Sequence, residues 1–137
     1  MGMVRIKRQK EVNMVHEKLS PAGQKLAKAI LTKLSCSPRK VNLVLGLIRG
    51  QPVSAALKQL RFSTKRVAND VHGLLFSAIS NAENNYDMDV DRLVVNEAYV
   101  GKNMQLKRMH ARARGRGSRI TKVFSNVTII LTEKELN

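Results

Sequence analysis

The segment LKRMHARARGRGSR, residues 106–119, lies between two stretches in which apolar and polar residues alternate. The first stretch covers residues 92–100, and the second covers residues 123–131. Alternation with a period of two is typical of β-strands that have one buried face. The sequence therefore predicts an antiparallel hairpin over about residues 92–131, with arms of roughly 50 Å at ~3.3 Å per residue.

The distal half of this predicted hairpin is basic and has no counter-charge. Neither Asp nor Glu occurs between Glu97 and Glu133. The cations in that interval are Lys102, Lys107, Arg108, Arg112, Arg114, Arg116, Arg119 and Lys122. A cation buried without a partner loses much of its hydration energy, and a long two-stranded ribbon is marginal alone in water. We therefore expect a dense polyanion, RNA or DNA, to enclose the ribbon.

The composition of the whole chain points the same way. Its 137 residues include 25 Lys+Arg and 10 Asp+Glu, which gives a net charge of +15, and 43% of the residues are hydrophobic. This balance predicts one folded domain over residues 21–137, after a flexible basic extension at residues 1–20. Aromatic residues make up 4% and Trp is absent, so we expect phosphate contacts rather than base stacking.

The clearest helix start lies in SPRKVNLVLGLIRG, residues 37–50. Ser37 is a good N-cap, Pro38 suits the first helical position, and the final glycine is a stop signal. Arg39 and Lys40 fall in the first turn, where cations oppose the helix dipole. A phosphate bound at this N-terminus would remove that cost, so we predict phosphate contact there rather than two solvated side chains.

Three further elements are predicted from shorter signals. A strand is expected at about residues 29–36, a short helix at 54–60, and a longer helix from about 63 to 84. Gly73 interrupts the longer helix and is expected to allow close packing against another element. The apolar stripe of that helix comprises Val67, Val71, Leu74, Leu75, Ala78, Ile79 and Ala82.

Nothing in the sequence predicts catalysis, a metal site or a cofactor. His16, His72 and His110 are widely spaced, and Cys36 is the single cysteine, so no metal-ligand set is recognisable. Cys36 lies in an apolar run and is expected to be a buried structural thiol. No run approaches the ~18 apolar residues of a membrane span, and the N-terminus lacks a secretory apolar region. We therefore expect a cytoplasmic protein with no membrane partner.

A series of aspartates at residues 87, 89 and 91 imitates the start of a calcium-binding loop. The pattern then fails, because Arg92 stands where the loop needs glycine and Ala98 where it needs the bidentate glutamate. The aspartates are therefore interpreted as turn residues that satisfy nearby cations.

Several segments, in the same order, resemble one ribosomal protein family. They are SPRKVNLVLGLIRG (37–50), SAISNAENN (77–85), DRLVVNEAYV (91–100), and LKRMHARARGRGSRI (106–120) followed by VTIIL (127–131). Together they resemble the large-subunit ribosomal protein numbered twenty-two, in its bacterial form, over about residues 24–132. The resemblance implies an α+β fold, with three helices packed on a small antiparallel sheet and a long protruding β-hairpin.

The same resemblance implies a structural role in the cytoplasmic ribosome and no enzymatic activity. The hairpin would line the nascent-peptide exit tunnel. The implied partners are large-subunit ribosomal RNA, neighbouring large-subunit proteins including the one numbered four, and the nascent polypeptide. The implied RNA contacts are Arg39, Lys40, Arg49, Lys102, Lys107, Arg108, Arg112, Arg114, Arg116, Arg119 and Lys122. The implied tunnel tip is Leu106, Lys107, Arg108, Met109, His110, Ala111 and Arg112.

Two other functions remain open from charge alone. A sequence-tolerant DNA-binding or chromatin-like protein could lay the same ribbon in a groove of duplex DNA. A membrane-active or acidic-protein-binding module is the weakest alternative, because the basic stretch lacks an apolar helical face. His110 at the predicted tip would stack on a base or face the tunnel, or it would be a solvated loop residue.

Overall fold

The computed structural model describes residues 25–134, and the predicted extension at residues 1–20 lies outside that range. The described part confirms the α+β fold, with three helices on an antiparallel sheet and a long hairpin. Its elements are β1 (Leu26–Leu34), α1 (Pro38–Ile48), α2 (Val53–Phe62), α3 (Arg66–Tyr86), a 3₁₀ turn (Val90–Arg92), β2 (Leu93–Ala111) and β3 (Gly117–Glu133).

The sheet has the strand order β1-β3-β2, so β3 is central, and residues 50–52 pair with the outer edge of β2 at Val94 and Val95. Strand β1 pairs with β3 from Leu26 opposite Thr132 to Leu34 opposite Ser125. Beyond Ser125, β3 continues only with β2, as far as the pair formed by Ala111 and Gly117. The sheet therefore changes from three strands to a two-stranded ribbon, as the loss of apolar residues beyond Val100 predicts.

The core lies between the sheet and the helices. Val127, Ile129 and Leu131 alternate along β3 and are fully buried, because every second residue of a strand faces the same side. The predicted stripe of α3 is buried from Val67 to Ala82, which confirms that this face is core. Burial of one such side chain contributes about 1.5–3 kcal/mol, so the apolar pattern accounts for the position of α3.

One packing prediction for α3 is wrong. Gly73 lies on the exposed side of the helix, and a Cβ placed there would meet no atom within 4 Å. The glycine therefore does not allow a close approach to another element of residues 25–134. Its effect on this helix is the conformational cost of a glycine in a helix interior.

Strand β1 begins and ends earlier than the predicted 29–36, and it contains a bulge at Lys33. This residue has φ of 59°, and the pairing with β3 shifts register between Leu31 and Leu34. The amide of Cys36 then donates to the carbonyl oxygen of Leu34 at 2.8 Å, which leads the chain into α1. Cys36 is half-buried and packs against the core, so the expected thiol is structural but only partly enclosed.

The aspartate series forms a turn, as predicted. Asp87 ends α3 with φ of 48°, and the side chain of Asp89 accepts a hydrogen bond from the amide of Asp91 at 3.1 Å. Asp89 also forms an ion pair with Arg92 at 3.2 Å. Among residues 25–134, no group of three or more His, Cys, Asp or Glu side chains could hold a metal ion. No helix in this part of the chain is long and apolar enough to cross a membrane.

Candidate nucleic-acid interface

The pairing of β2 with β3 decides which way each cation of the ribbon points. Residues directly opposite each other in an antiparallel pair have their side chains on the same face. Arg108 lies opposite Ile120, and Lys122 lies opposite Leu106, so both cations are on one face. Lys107 and Arg119, which are opposite Thr121 and Met109, are on the other face. The ribbon therefore carries positive charge on both faces.

All of the ribbon cations that the sequence singles out are exposed. Two of them make local hydrogen bonds. The guanidinium of Arg108 donates to the carbonyl oxygen of Lys107 at 3.0 Å, and that of Arg112 donates to the hydroxyl of Ser118 at 3.3 Å. Apolar side chains share the surface, since Met109 is 74% exposed. The ribbon combines dispersed cations with flexible apolar groups and leaves both accessible to a partner.

The far end of the ribbon is a tight turn. The amide of Arg116 donates to the carbonyl oxygen of Ala113, and the amide of Arg112 donates to the carbonyl oxygen of Arg116. Arg114 and Gly115 at the centre have φ of 59° and 67°. Two consecutive positive φ values are typical of a type I′ hairpin turn, which suits the right-handed twist of the strands. Gly115 adopts this conformation freely, whereas Arg114 adopts it at a cost of about 1–2 kcal/mol.

Most of the residues of the implied tunnel tip lie in β2, before this turn. Leu106 to Ala111 lie within β2, and Arg112 is the first residue beyond that strand. The extreme end of the hairpin is therefore formed by residues 112–116, which carry Arg112, Arg114 and Arg116. His110 is in the last part of β2, opposite Ser118, and not in a loop. The ladder continues to Ala111, so His110 is an exposed strand residue and not a loop residue.

A second group of cations lies on the globular part of the protein. Lys40 of α1 lines a cleft of about 750 Å³ between the end of β1, α1 and the start of α3. No sequence pattern groups Lys33, Lys65 and Arg66 with Lys40, but all of them line the same cleft. Asp70 contributes a carboxylate to the lining of this cleft. Both helices at this cleft begin with a pair of cations in the sequence. The pair is Arg39 and Lys40 at the start of α1, and Lys65 and Arg66 at the start of α3.

Arg49, a predicted RNA contact, also has a structural position. Its Nε donates to the carbonyl oxygen of Ala98 on β2 at 2.6 Å, and its Nη2 donates to Oδ1 of Asn42 at 2.6 Å. The side chain therefore ties the end of α1 to β2. Arg49 and Arg39 also line a smaller, open groove beside β2. The predicted cations thus form two separate sets, one on the globular part and one on the ribbon.

Comparison with known proteins identifies relatives over most of the chain. The family model described as ribosomal protein L22p/L17e matches residues 29–132. The large ribosomal subunit protein uL22 of Methylorubrum populi is 61% identical over 107 residues, which are 78% of this chain and 84% of that protein. The proteins of the same name from Methylobacterium nodulans and Mesorhizobium japonicum are 62% and 57% identical, covering 78% and 80% of this chain and 84% of each relative.

Proposed function

This chain belongs to the ribosomal protein L22p/L17e family, and we propose that it binds and organises large-subunit ribosomal RNA and lines the nascent-peptide exit tunnel with its hairpin. Family membership makes it a structural protein of the cytoplasmic ribosome and not an enzyme. The names of its relatives assign those proteins to the large subunit, which supports the same subunit here.

The observation that carries the RNA-binding proposal is the charge on both faces of the ribbon. A ribbon that lies in one groove of duplex DNA needs its cations on the side that meets the phosphates. Here Arg108 and Lys122 point to one side, and Lys107 and Arg119 point to the other. Folded RNA can surround a ribbon on both sides, and each contact with a phosphate releases counterions. The two-faced arrangement therefore favours enclosure by RNA over docking on DNA.

The basic cleft on the globular part supports an organising role. Lys33, Lys40, Lys65 and Arg66 line it, on a different part of the molecule from the ribbon cations. A protein with two separate basic regions can hold two RNA segments in a fixed relation, because phosphate contacts position a protein without requiring a base sequence. The family resemblance implies RNA contacts at Arg39 and Lys40. Both residues lie on the globular part of the protein, and Lys40 lines the cleft.

The length and exposure of the ribbon support the tunnel proposal. Beyond Lys102 the ribbon extends about 30 Å from the sheet to Ala111 at ~3.3 Å per residue. Residues 106–112 are nearly all exposed along this reach and include Met109 and His110. We infer that these side chains meet the nascent polypeptide, with the ribosomal protein numbered four as a neighbour. A two-stranded ribbon with exposed side chains on both faces suits a tunnel wall that RNA encloses.

A comparison of the two faces tests the RNA-binding proposal. One variant carries Lys107→Ser with Arg119→Ser, and its matched partner carries Arg108→Ser with Lys122→Ser, so each loses one Lys and one Arg from one face. Binding to large-subunit ribosomal RNA is measured as a function of salt. The slope of log K against log[salt] is negative, and we expect each pair to reduce its magnitude by about 2, since each lost phosphate contact reduces it by about 1.

The two pairs also separate RNA enclosure from DNA docking. Equal losses from both pairs are expected if RNA contacts both faces. A loss confined to one pair, together with equal affinity for duplex DNA and ribosomal RNA at the same salt, would contradict the proposal and favour a DNA-binding ribbon.

A further inference from the structure

The basic cleft on the globular part is larger than contact with RNA phosphates alone requires. It has a volume of about 750 Å³ and lies between the end of β1, α1 and the start of α3. Clefts of ~300–1,000 Å³ are those in which proteins hold small molecules and cofactors. A phosphate contact needs only an exposed cation or backbone N–H on an open surface. The volume therefore indicates a ligand of nucleotide size.

Cations from three separate elements line this cleft. Lys33 belongs to β1, Lys40 to α1, and Lys65 and Arg66 to the start of α3. All four side chains are exposed, and Asp70 contributes one carboxylate to the lining. Lys and Arg form charge-assisted hydrogen bonds with phosphate, so an anion in the cleft can meet cations from several directions. The balance of charge therefore favours a ligand that carries phosphate groups.

An exposed leucine gives the same cleft an apolar wall. Leu43 is 69% exposed, whereas Leu34 and Val67 also line the cleft but are buried. Leu43 follows Lys40 by three residues on α1, so the two side chains lie on the same side of that helix. The cleft thus combines an uncovered apolar side chain with cations. A ligand that covers Leu43 must carry an apolar part next to its charge.

We propose that this cleft holds one unpaired nucleotide of the RNA, with its base packed on Leu43 and its two flanking phosphates beside Lys40 and Arg66. An unpaired base offers its flat apolar face, and the strand supplies a phosphate on either side of it. Bases within a duplex are paired and stacked on one another, so they cannot enter the cleft. An acidic peptide would satisfy the cations but would leave Leu43 exposed.

This proposal rests on the proposed RNA-binding function and adds a site that is separate from the ribbon. The residues of the described part that line the cleft include no aromatic ring, so the base packs on aliphatic side chains. Such packing does not depend on the identity of the base. The cleft therefore responds to RNA conformation, whereas the ribbon cations respond mainly to charge.

The single cysteine of the chain gives a readout at the cleft itself. Cys36 is half-buried and lines the cleft, so a nucleotide bound there should shield its thiol. Alkylation of the full chain by iodoacetamide is measured against the concentration of three probes at the same salt. They are single-stranded oligoadenylate, an abasic strand of the same length and charge, and an RNA duplex of equal length. We expect saturating oligoadenylate to slow alkylation about fivefold or more, because thiol reactivity depends on access.

The abasic strand isolates the contribution of the base. We expect its half-protecting concentration to be about 5- to 30-fold higher than that of oligoadenylate, the equivalent of ~1–2 kcal/mol of apolar burial. The duplex should slow alkylation by less than about twofold, since its bases remain stacked.

A pair of leucines on α1 provides a matched comparison. Leu43→Ser removes the apolar wall, and Leu47→Ser is the control, because Leu47 is 53% exposed on the same helix and does not line the cleft. Leu43→Ser should raise the half-protecting concentration of oligoadenylate about 5- to 30-fold and leave that of the abasic strand within about twofold. Leu47→Ser should leave both within about twofold of the parent, as an exposed residue outside the site.

Two pairs of cations test the phosphate contacts. Lys40→Gln with Arg66→Gln removes one Lys and one Arg from the cleft, and Lys58→Gln with Arg61→Gln removes the same charges from exposed positions on α2. The binding constant K is taken from the protection of Cys36 by oligoadenylate. The cleft pair should reduce the magnitude of the slope of log K against log[salt] by about 1.4, since each single-strand phosphate contact contributes ~0.7. The α2 pair should reduce it by less than about 0.7.

Three results would overturn the nucleotide site. They are equal protection of Cys36 by oligoadenylate and the abasic strand, equal protection by the duplex, and unchanged oligoadenylate binding by Leu43→Ser. Failure of the parent to bind large-subunit ribosomal RNA would contradict the RNA-binding function itself. Retained binding of that RNA with no protection of Cys36 by oligoadenylate would contradict only the nucleotide site.

Discussion

The tether formed by Arg49 makes a quantitative prediction about the free protein. Arg49→Met keeps most of the apolar stem and removes the hydrogen bonds from Nε to Ala98 and from Nη2 to Asn42. A hydrogen bond to a charged group contributes about 1.5–3 kcal/mol when it is shielded from water. The bond to Ala98 is partly buried and the bond to Asn42 is exposed, so the exposed one contributes little. We expect Arg49→Met to lower the free energy of unfolding by about 1–3 kcal/mol.

The assay is urea unfolding of the free protein, with no RNA present. The midpoint should fall while the slope of the free energy against urea stays constant, which marks a change in stability and not in the unfolded state. Arg39→Met is the matched control. It removes an exposed arginine from the same helix, and surface substitutions of this kind usually change stability by less than about 0.5 kcal/mol.

A double-mutant cycle isolates the contact between Arg49 and Asn42. Arg49→Met and Asn42→Ala should be less than additive, because each removes the same hydrogen bond. If Arg49→Met unfolds at the same urea concentration as the parent, the tether does not stabilise the domain. Arg49 would then act only as a contact to a partner, as the family resemblance implies.

Three further predictions concern the core, α3 and the turn. Leu75→Ala should destabilise the protein by about 2–5 kcal/mol in urea unfolding, since Leu75 is fully buried, and a loss below about 0.5 kcal/mol would contradict its core position. Gly73→Ala should raise the free energy of unfolding by about 0.5–1 kcal/mol, because a methyl group there meets open space; a lower thermal midpoint would show a hidden contact. Changing Arg112, Arg114 and Arg116 together to Ala should weaken incorporation into large subunits in reconstitution but leave the thermal midpoint of the free protein nearly unchanged. A large drop in that midpoint would mean that these arginines stabilise the fold internally.

Local patterns predicted most of the fold because each element repeats one signal many times. The apolar spacing of α3 and the alternation in β2 and β3 are such signals, and the structure confirms all three elements. The family resemblance supplied the arrangement of helices on the sheet, which periodicity alone does not determine. The bulge within β1 was less predictable, because one residue, Lys33, adopts a positive φ that ordinary residues rarely adopt.

The sites that sequence patterns missed depend on contacts between distant parts of the chain. Arg49 and Ala98 are 49 residues apart in sequence, and no local pattern marks them as partners. The prediction for Gly73 is wrong because a glycine in a helix suggests close packing, and only the structure shows that this position is exposed.

Directed hydroxyl-radical probing from adjacent positions on β3 tests the central proposal most directly. Ile120 and Thr121 point to opposite faces of the ribbon, so Ile120→Cys and Thr121→Cys, each in a Cys36→Ser background, would carry an iron chelate on one face or the other. The proteins are incorporated into large subunits, and cleavage of ribosomal RNA is mapped. RNA enclosure predicts strong cleavage from both positions, at different sets of nucleotides. Cleavage from only one position, or from neither in assembled subunits, would contradict it.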